Sequence, residues 1–185
     1  MPRRRYLFDL PDRFTAGTVG EPGSRTFFLQ ARDGDRLVSV VLEKVQVAVL
    51  ADRLSDLLDE LGQRGIAPDE GEAAVPDGAP LDEPLREAFR AGTLTLGWDG
   101  DDGVVLVEAL AVRDEDDDDD EDDPLPDDEE GPDVLRVRLS PAAARTFVER
   151  AVRVVASGRP PCPLCGQPLD PMGHICPRRN GQYVN

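Results

Sequence analysis

The chain predicts an α+β fold: antiparallel sheet strands and two amphipathic helices in a strands-then-helix pseudo-repeat, with a small Cys/His-rich C-terminal tail. Two observations predict the body. Short alternating or β-branched apolar runs, parted by Gly, Pro and Asp turn clusters, occur in two successions. Each succession ends in one stretch whose apolar residues recur at three and four. The tail follows from a third: all three cysteines and the only histidine fall between Cys162 and Cys176.

Tyr6 to Leu10 and Phe14 to Val19 read as short strands separated by the turn pair Pro11-Asp12, and Gly20-Glu-Pro-Gly23 makes the next turn. Thr26 to Ala31 and Leu37 to Leu42 flank Arg32-Asp-Gly34-Asp, a hairpin in which glycine supplies positive φ. These runs predict a four-strand meander. From Lys44 onward Val47, Leu50, Ala51, Leu54, Leu57, Leu58 and Leu61 mark a helix with one buried stripe, closed by Gly62 and Gly65.

Residues 66–84, rich in Pro, Gly, Ala and acids, predict a mobile connector, and Leu85 to Arg90 a short helical turn. Strands resume at Thr93 to Trp98 and Val104 to Val112 around the hairpin signal Asp99-Gly-Asp-Asp-Gly103. Val134 to Leu139 then alternates strictly. Ser140 suits an N-cap and Pro141 the first helical position. Ala144, Phe147, Val148, Ala151, Val154 and Val155 carry the second helix to Ser157-Gly158.

The two halves, each laying one helix on a sheet, are expected to share a core within a body spanning 1–157. Comparable topology occurs in the PUR and Whirly nucleic-acid-binding proteins, an analogy of fold alone. The net charge of -17 is concentrated: residues 114–130 hold 14 of the 38 acidic residues and no basic one, so the other 24 face 21 Lys and Arg. So many carboxylates cannot be buried together, and 114–130 is read as an acidic disordered loop at a sheet end. Arginine supplies nearly all the positive charge, with Lys44 the sole lysine.

The tail, 158–185, carries Cys162-Pro-Leu-Cys165 and then Gly173-His174-Ile-Cys176. Three thiolates and one imidazole are the ligand set of a structural zinc site, so Cys162, Cys165, His174 and Cys176 are the candidate ligands of a structural Zn2+. Pro163, Leu164 and Gly166 suit a knuckle whose amides donate to the sulfurs. His-x-Cys is tight for two ligands, and Gly173 and Pro177 permit the bend it needs. A Cys162/Cys165 redox pair and incidental thiols remain as alternatives. Three thiolates around Zn2+ leave a charge of -1, which Arg178 and Arg179 either screen or extend into an anion-binding tip.

Other chemistry is thin. With its one histidine committed to the cluster, the chain has no side chain whose ordinary pKa suits acid/base work near neutrality. Asp9 and Asp12 read as turn residues, and Gly17 to Gly23 lacks the Gly-Lys-Ser/Thr of a phosphate loop. Trp98, Phe27 and Phe28 read as core before base-stacking platforms. No catalytic residue is nominated. The odd cysteine count and the absence of long apolar runs predict a cytoplasmic protein without a membrane partner.

Several stretches resemble an uncharacterised actinobacterial family, domain of unknown function 3090. They are Arg5-Tyr6-x-Phe8-Asp9, Pro11-Asp12-Arg13-Phe14, Ala16-Gly17-Thr18-Val19-Gly20, Arg25 to Ala31, Leu42-Glu43-Lys44, and the tail from Gly158 through Cys162-Pro163-x-Cys165-Gly166 to Gly173-His174-x-Cys176-Pro177-Arg178. The resemblance spans the chain except 66–84 and the acidic run, and it names no activity. The residues favour a non-catalytic binding or adaptor module contacting a protein or nucleic acid. The alternative is an enzyme acting on a phosphorylated or nucleotide substrate.

Overall fold

The structure, a computed structural model, describes residues 3–66, 75–112, 131–158, 162–166, 169 and 176. Its described elements run β1 (Arg5–Asp9), β2 (Arg13–Val19), β3 (Thr26–Asp33), β4 (Arg36–Leu42), α1 (Lys44–Gln63), β5 (Glu87–Asp99), β6 (Val104–Ala111), β7 (Val134–Leu139) and α2 (Pro141–Ala156). The strands form one seven-stranded sheet in the order β1-β7-β6-β5-β4-β3-β2. Neighbours are antiparallel except β4/β5 and β1/β7. The α+β class and the strands-then-helix order therefore hold. None of the described helices is long and apolar enough to cross a membrane.

Two expectations are corrected. The first four strands do not form one meander: β2, β3 and β4 do, whereas β1 lies at the far edge, parallel to β7, with Tyr6 opposite Leu135 and Phe8 opposite Val137. Backbone bonds from Val134 N to the Arg4 carbonyl and from Leu10 N to the Arg138 carbonyl, each 3.0 Å, extend that pairing. Turn signals between strands give the bend but not the partner. Residues 85–90 also hold no helical turn, because β5 begins at Glu87 and pairs with Ser39–Val41 of β4. Phe89 and Ala91 alternate into the core there, the period of a strand.

The β1–β2 link fixes the shape of the sheet. From Asp9 to Arg13 the chain spans at most ~14 Å, whereas the outer strands of a flat seven-stranded sheet lie roughly 29 Å apart at ~4.8 Å per strand. The sheet must therefore twist and fold over until its edges approach. The β5 strand makes this turn. Its first residues pair with β4 and the rest, from Ala91 to Asp99, with β6, with the register shifting between Ala91 and Thr93. Gly92 sits at the bend, where a Cβ would come 3.1 Å from the Val112 Cα. Across the fold Tyr6 stacks on Phe89, centroids 6.2 Å apart, and the Arg36 guanidinium lies 4.4 Å from the Phe8 ring centre.

Both helices cover one face. On α1, Val47, Leu50, Ala51, Leu54, Leu58 and Leu61 are buried, and Glu43 and Gln46 close the N-terminus as a reciprocal capping box. On α2, the Ser140 hydroxyl accepts from Ala143 N at 3.2 Å and Pro141 follows as predicted, while Phe147, fully buried, meets Phe14 with ring centres 4.7 Å apart. Apart from Leu61, these apolar side chains join Ala16, Leu29, Val40, Val105, Val107, Leu135, Val137 and Leu139 in one core. At ~1.5–3 kcal/mol per large apolar side chain removed from water, that core dominates stability.

On the opposite face of β2–β4 lies the second half of the connector. Composition alone makes residues 66–84 a mobile connector, yet the described stretch, 75–84, is docked. Leu81 fills the space over Gly17, where a Cβ would come 2.6 Å from its Cγ. Gln30, fully buried, hydrogen-bonds the backbone of Asp82 in both directions at 2.9 Å and donates to Ser39 Oγ at 3.0 Å. The acidic stretch 114–130 lies outside the described residues. Its flanks, Leu110 and Val134, pair directly.

Candidate metal centre

The second helix ends at Ser157, whose carbonyl and hydroxyl accept from Arg25 at 2.8 and 3.0 Å. Beyond it, Cys162 to Gly166 form a tight turn closed by a 2.8 Å bond from Gly166 N to the Cys162 carbonyl. Gly166 carries φ +74°, the left-handed conformation in which a side chain would be strained. This is the knuckle that the Cys-Pro-Leu-Cys-Gly order predicts.

The turn gathers sulfur. The Sγ atoms of Cys162, Cys165 and Cys176 all lie within 4.8 Å of one another, and those of Cys162 and Cys176 are 4.0 Å apart. All three are free thiols, with Cys162 and Cys176 each only 6% exposed. Bonds of ~2.3 Å to a tetrahedral ion would set sulfurs ~3.8 Å apart, so the trio matches three corners of such a site. Backbone amides of Cys165 and Leu164 point at the Cys162 sulfur and hold its thiol below the usual cysteine range; burial opposes them, and the neighbouring cysteine thiols add to the lowering. The three cysteines can therefore hold a metal ion. His174, nominated as fourth ligand, and Arg178 and Arg179, nominated for anion binding, lie outside the described residues.

A second cluster of charge escapes sequence reasoning. Arg13, at the start of edge strand β2, grips Asp77 through paired bonds of 2.9 and 3.0 Å and reaches Asp82 at 2.7 Å. It also donates to the carbonyls of Ala79 and Pro80. From α2, Arg150 donates to the carbonyls of Ala16 and Asp77 at 3.0 and 2.9 Å, placing a charge over part of the β2 edge. Burial disfavours the charge on Arg13, yet hydrogen bonds to Asp77 and Asp82 outweigh it and raise its pKa; burial likewise disfavours the Asp77 carboxylate, but Arg13 holds it below the usual carboxylate range. Two aspartates flanking the apolar Leu81 in a Pro/Gly-rich connector were the available signal.

The remaining candidates take structural places. Asp12 accepts from Gly34 N at 2.9 Å and Asp9 pairs with Arg138, as turn and edge residues do. Phe27 and Phe28 are buried and Trp98 packs against the core.

Among curated proteins and among solved structures none matches this chain. A family model does match, described as "Protein of unknown function (DUF3090)", over residues 6–176. The match takes in all three cysteines of the cluster and stops short of Arg178 and Arg179. Covering nearly the whole chain, it makes the chain a member of the DUF3090 family.

Proposed function

We propose that the protein is a zinc-stapled, non-catalytic binding module, in which Cys162, Cys165, Cys176 and His174 hold a structural Zn2+ and a protein or nucleic acid is the partner. The observation that carries this reading is the gathering of three thiols within 4.8 Å around a knuckle whose amides already favour the thiolate at Cys162. Three thiolates with an imidazole complete a tetrahedron and leave no position for a reacting water. Bound there, the ion would fold the tail, because apart from Cys162 to Gly166 its spacing supplies ligands and little apolar residue to bury.

Binding is favoured over catalysis by the titratable groups. The one carboxylate in the described residues with a resolved shift, Asp77, is lowered and saturated by Arg13, which suits a structural clamp and not a general acid. The test compares the full chain with a Cys162→Ser/Cys165→Ser variant. The module reading expects a co-purifying macromolecule that the variant loses while the body keeps its thermal transition. Thermal shifts with phosphorylated or nucleotide ligands that persist in the variant would favour an enzyme instead.

A further inference from the structure

We infer that the groove between α1 and the second half of β5 receives an extended peptide segment of a partner protein, which adds as a strand to a free edge of β5. The inference deepens the binding-module reading and rests on it for the existence of a partner, but it uses a surface apart from the cysteines. Pairing of β5 with β4 covers only Glu87 to Arg90, because β4 ends at Leu42 and the chain turns into α1 at Lys44. Past the bend at Gly92, β5 runs on to Asp99 with β6 on one side only. Among the described residues no strand pairs with the other side of Thr93–Asp99.

That edge borders a cavity of about 280 Å3 lined by Val45, Val49 and Arg53 of α1 and by Gly92, Leu94 and Leu96 of β5. The walls are apolar and open: Val45 is 65% and Val49 50% exposed, and Leu94 and Leu96 are half-buried. Val45, Val49 and Arg53 stand at successive helical turns, so one stripe of α1 faces the strand along its length. Gln46 donates to the carbonyls of Ala91 and Gly92 at 3.2 and 3.0 Å, which fixes the helix to the bend and keeps the groove open beyond it.

A bare strand edge beside an apolar helix stripe selects its occupant by chemistry. Backbone N–H and C=O groups along the edge are matched only by another extended backbone, and the alternate side chains of such a segment would drop between Val45, Val49, Leu94 and Leu96. Arg53, which has no ion-pair partner among the described residues, adds a preference for an acidic residue in the segment. The β2 edge, by contrast, carries a charged cover: Arg150 donates to the Ala16 carbonyl and to the Asp77 carbonyl of the docked connector. Folded proteins usually block open edges with charge or cover. Among the described residues no charge or strand blocks the β5 edge past Gly92, and α1 covers it only in part.

The experiment selects displayed random seven-residue peptides on the immobilised full-length protein. Enriched sequences should carry aliphatic residues at alternate positions and an acidic residue. Their binding should slow amide exchange at alternate positions within Thr93–Asp99, weaken at least ~10-fold on Val49→Glu, and persist in Cys162→Ser. Val49 is exposed enough for that variant to fold, which its thermal transition verifies. The inference is overturned if no sequence is enriched, if enriched peptides bind Val49→Glu as tightly as the parent, or if Val49→Glu instead dissociates a dimer, which would make a second copy the occupant. Binding lost only in Cys162→Ser would place recognition on the tail, leaving the module reading intact and removing the groove.

Discussion

Replacing Asp77 with alanine probes the paired ionic clamp that helps tie the connector to the sheet. The Asp77 and Arg13 side chains are each 13% exposed, with paired bonds of 2.9 and 3.0 Å, and Arg150 lies 3.8 Å away. Breaking a buried pair by removing one partner costs about 3–5 kcal/mol, because the other charge is left in a poorly hydrated site. Here Asp82 still holds Arg13 at 2.7 Å from a position 29% exposed, which reduces the expected loss to about 2–3 kcal/mol, or a drop in Tm of about 4–12 °C. The pH dependence carries a sign. The native Asp77 carboxyl titrates below its unfolded value of about 3.9, so the native state binds fewer protons and the contribution is whole above that value. The gap between wild type and variant, read from urea melts, should stay constant from neutral pH to about pH 5 and narrow as the pH falls through the native value. A gap under ~0.5 kcal/mol at neutral pH, or one independent of acid, would show that the connector is not clamped in solution.

The contact between Gly17 and Leu81 gives a second check on the same docking: Gly17→Ala should cost about 1–3 kcal/mol by overpacking, and less than that when combined with Leu81→Ala, so urea melts of the cycle should show coupling. Ser140→Ala should remove the α2 cap and cost about 1 kcal/mol in the same assay. Replacing residues 114–130 with a short Gly/Ser turn should leave stability within ~0.5 kcal/mol, since Leu110 and Val134 already pair and the shorter closure is entropically cheap; loss of the cooperative melt would contradict this.

What could be read from the residues was local. The Val134–Leu139 alternation, the Ser140-Pro141 start of α2 and the apolar stripe from Val47 to Leu61 each encode their element within a few residues, and each stands where the pattern puts it. The three-cysteine cluster was legible for the same reason, as Cys162-Pro-Leu-Cys165-Gly166 specifies its own knuckle and leaves the approach of Cys176 to the fold, while His174 lies outside the described residues. Pairing at a distance was not legible. Nothing in Arg5–Asp9 says that it joins β7 and not β2, and the parallel start of β5 at Glu87 depends on β4 and on the bend at Gly92. In the described half of the connector, 75–84, composition misled: Pro, Gly and acids suggest freedom, but Asp77, Leu81 and Asp82 each meet a partner, Arg13, Gly17 and Gln30, that only the folded sheet presents.

Metal content per chain, measured by elemental analysis on protein purified without an affinity tag and alongside Cys162→Ser, decides whether the cysteine cluster holds zinc. A zinc staple gives about one zinc per chain in the parent, lost in the variant, with thiols that react freely only after chelation. Metal-free protein whose three cysteines react at once would contradict it and return Cys162 and Cys165 to the redox reading.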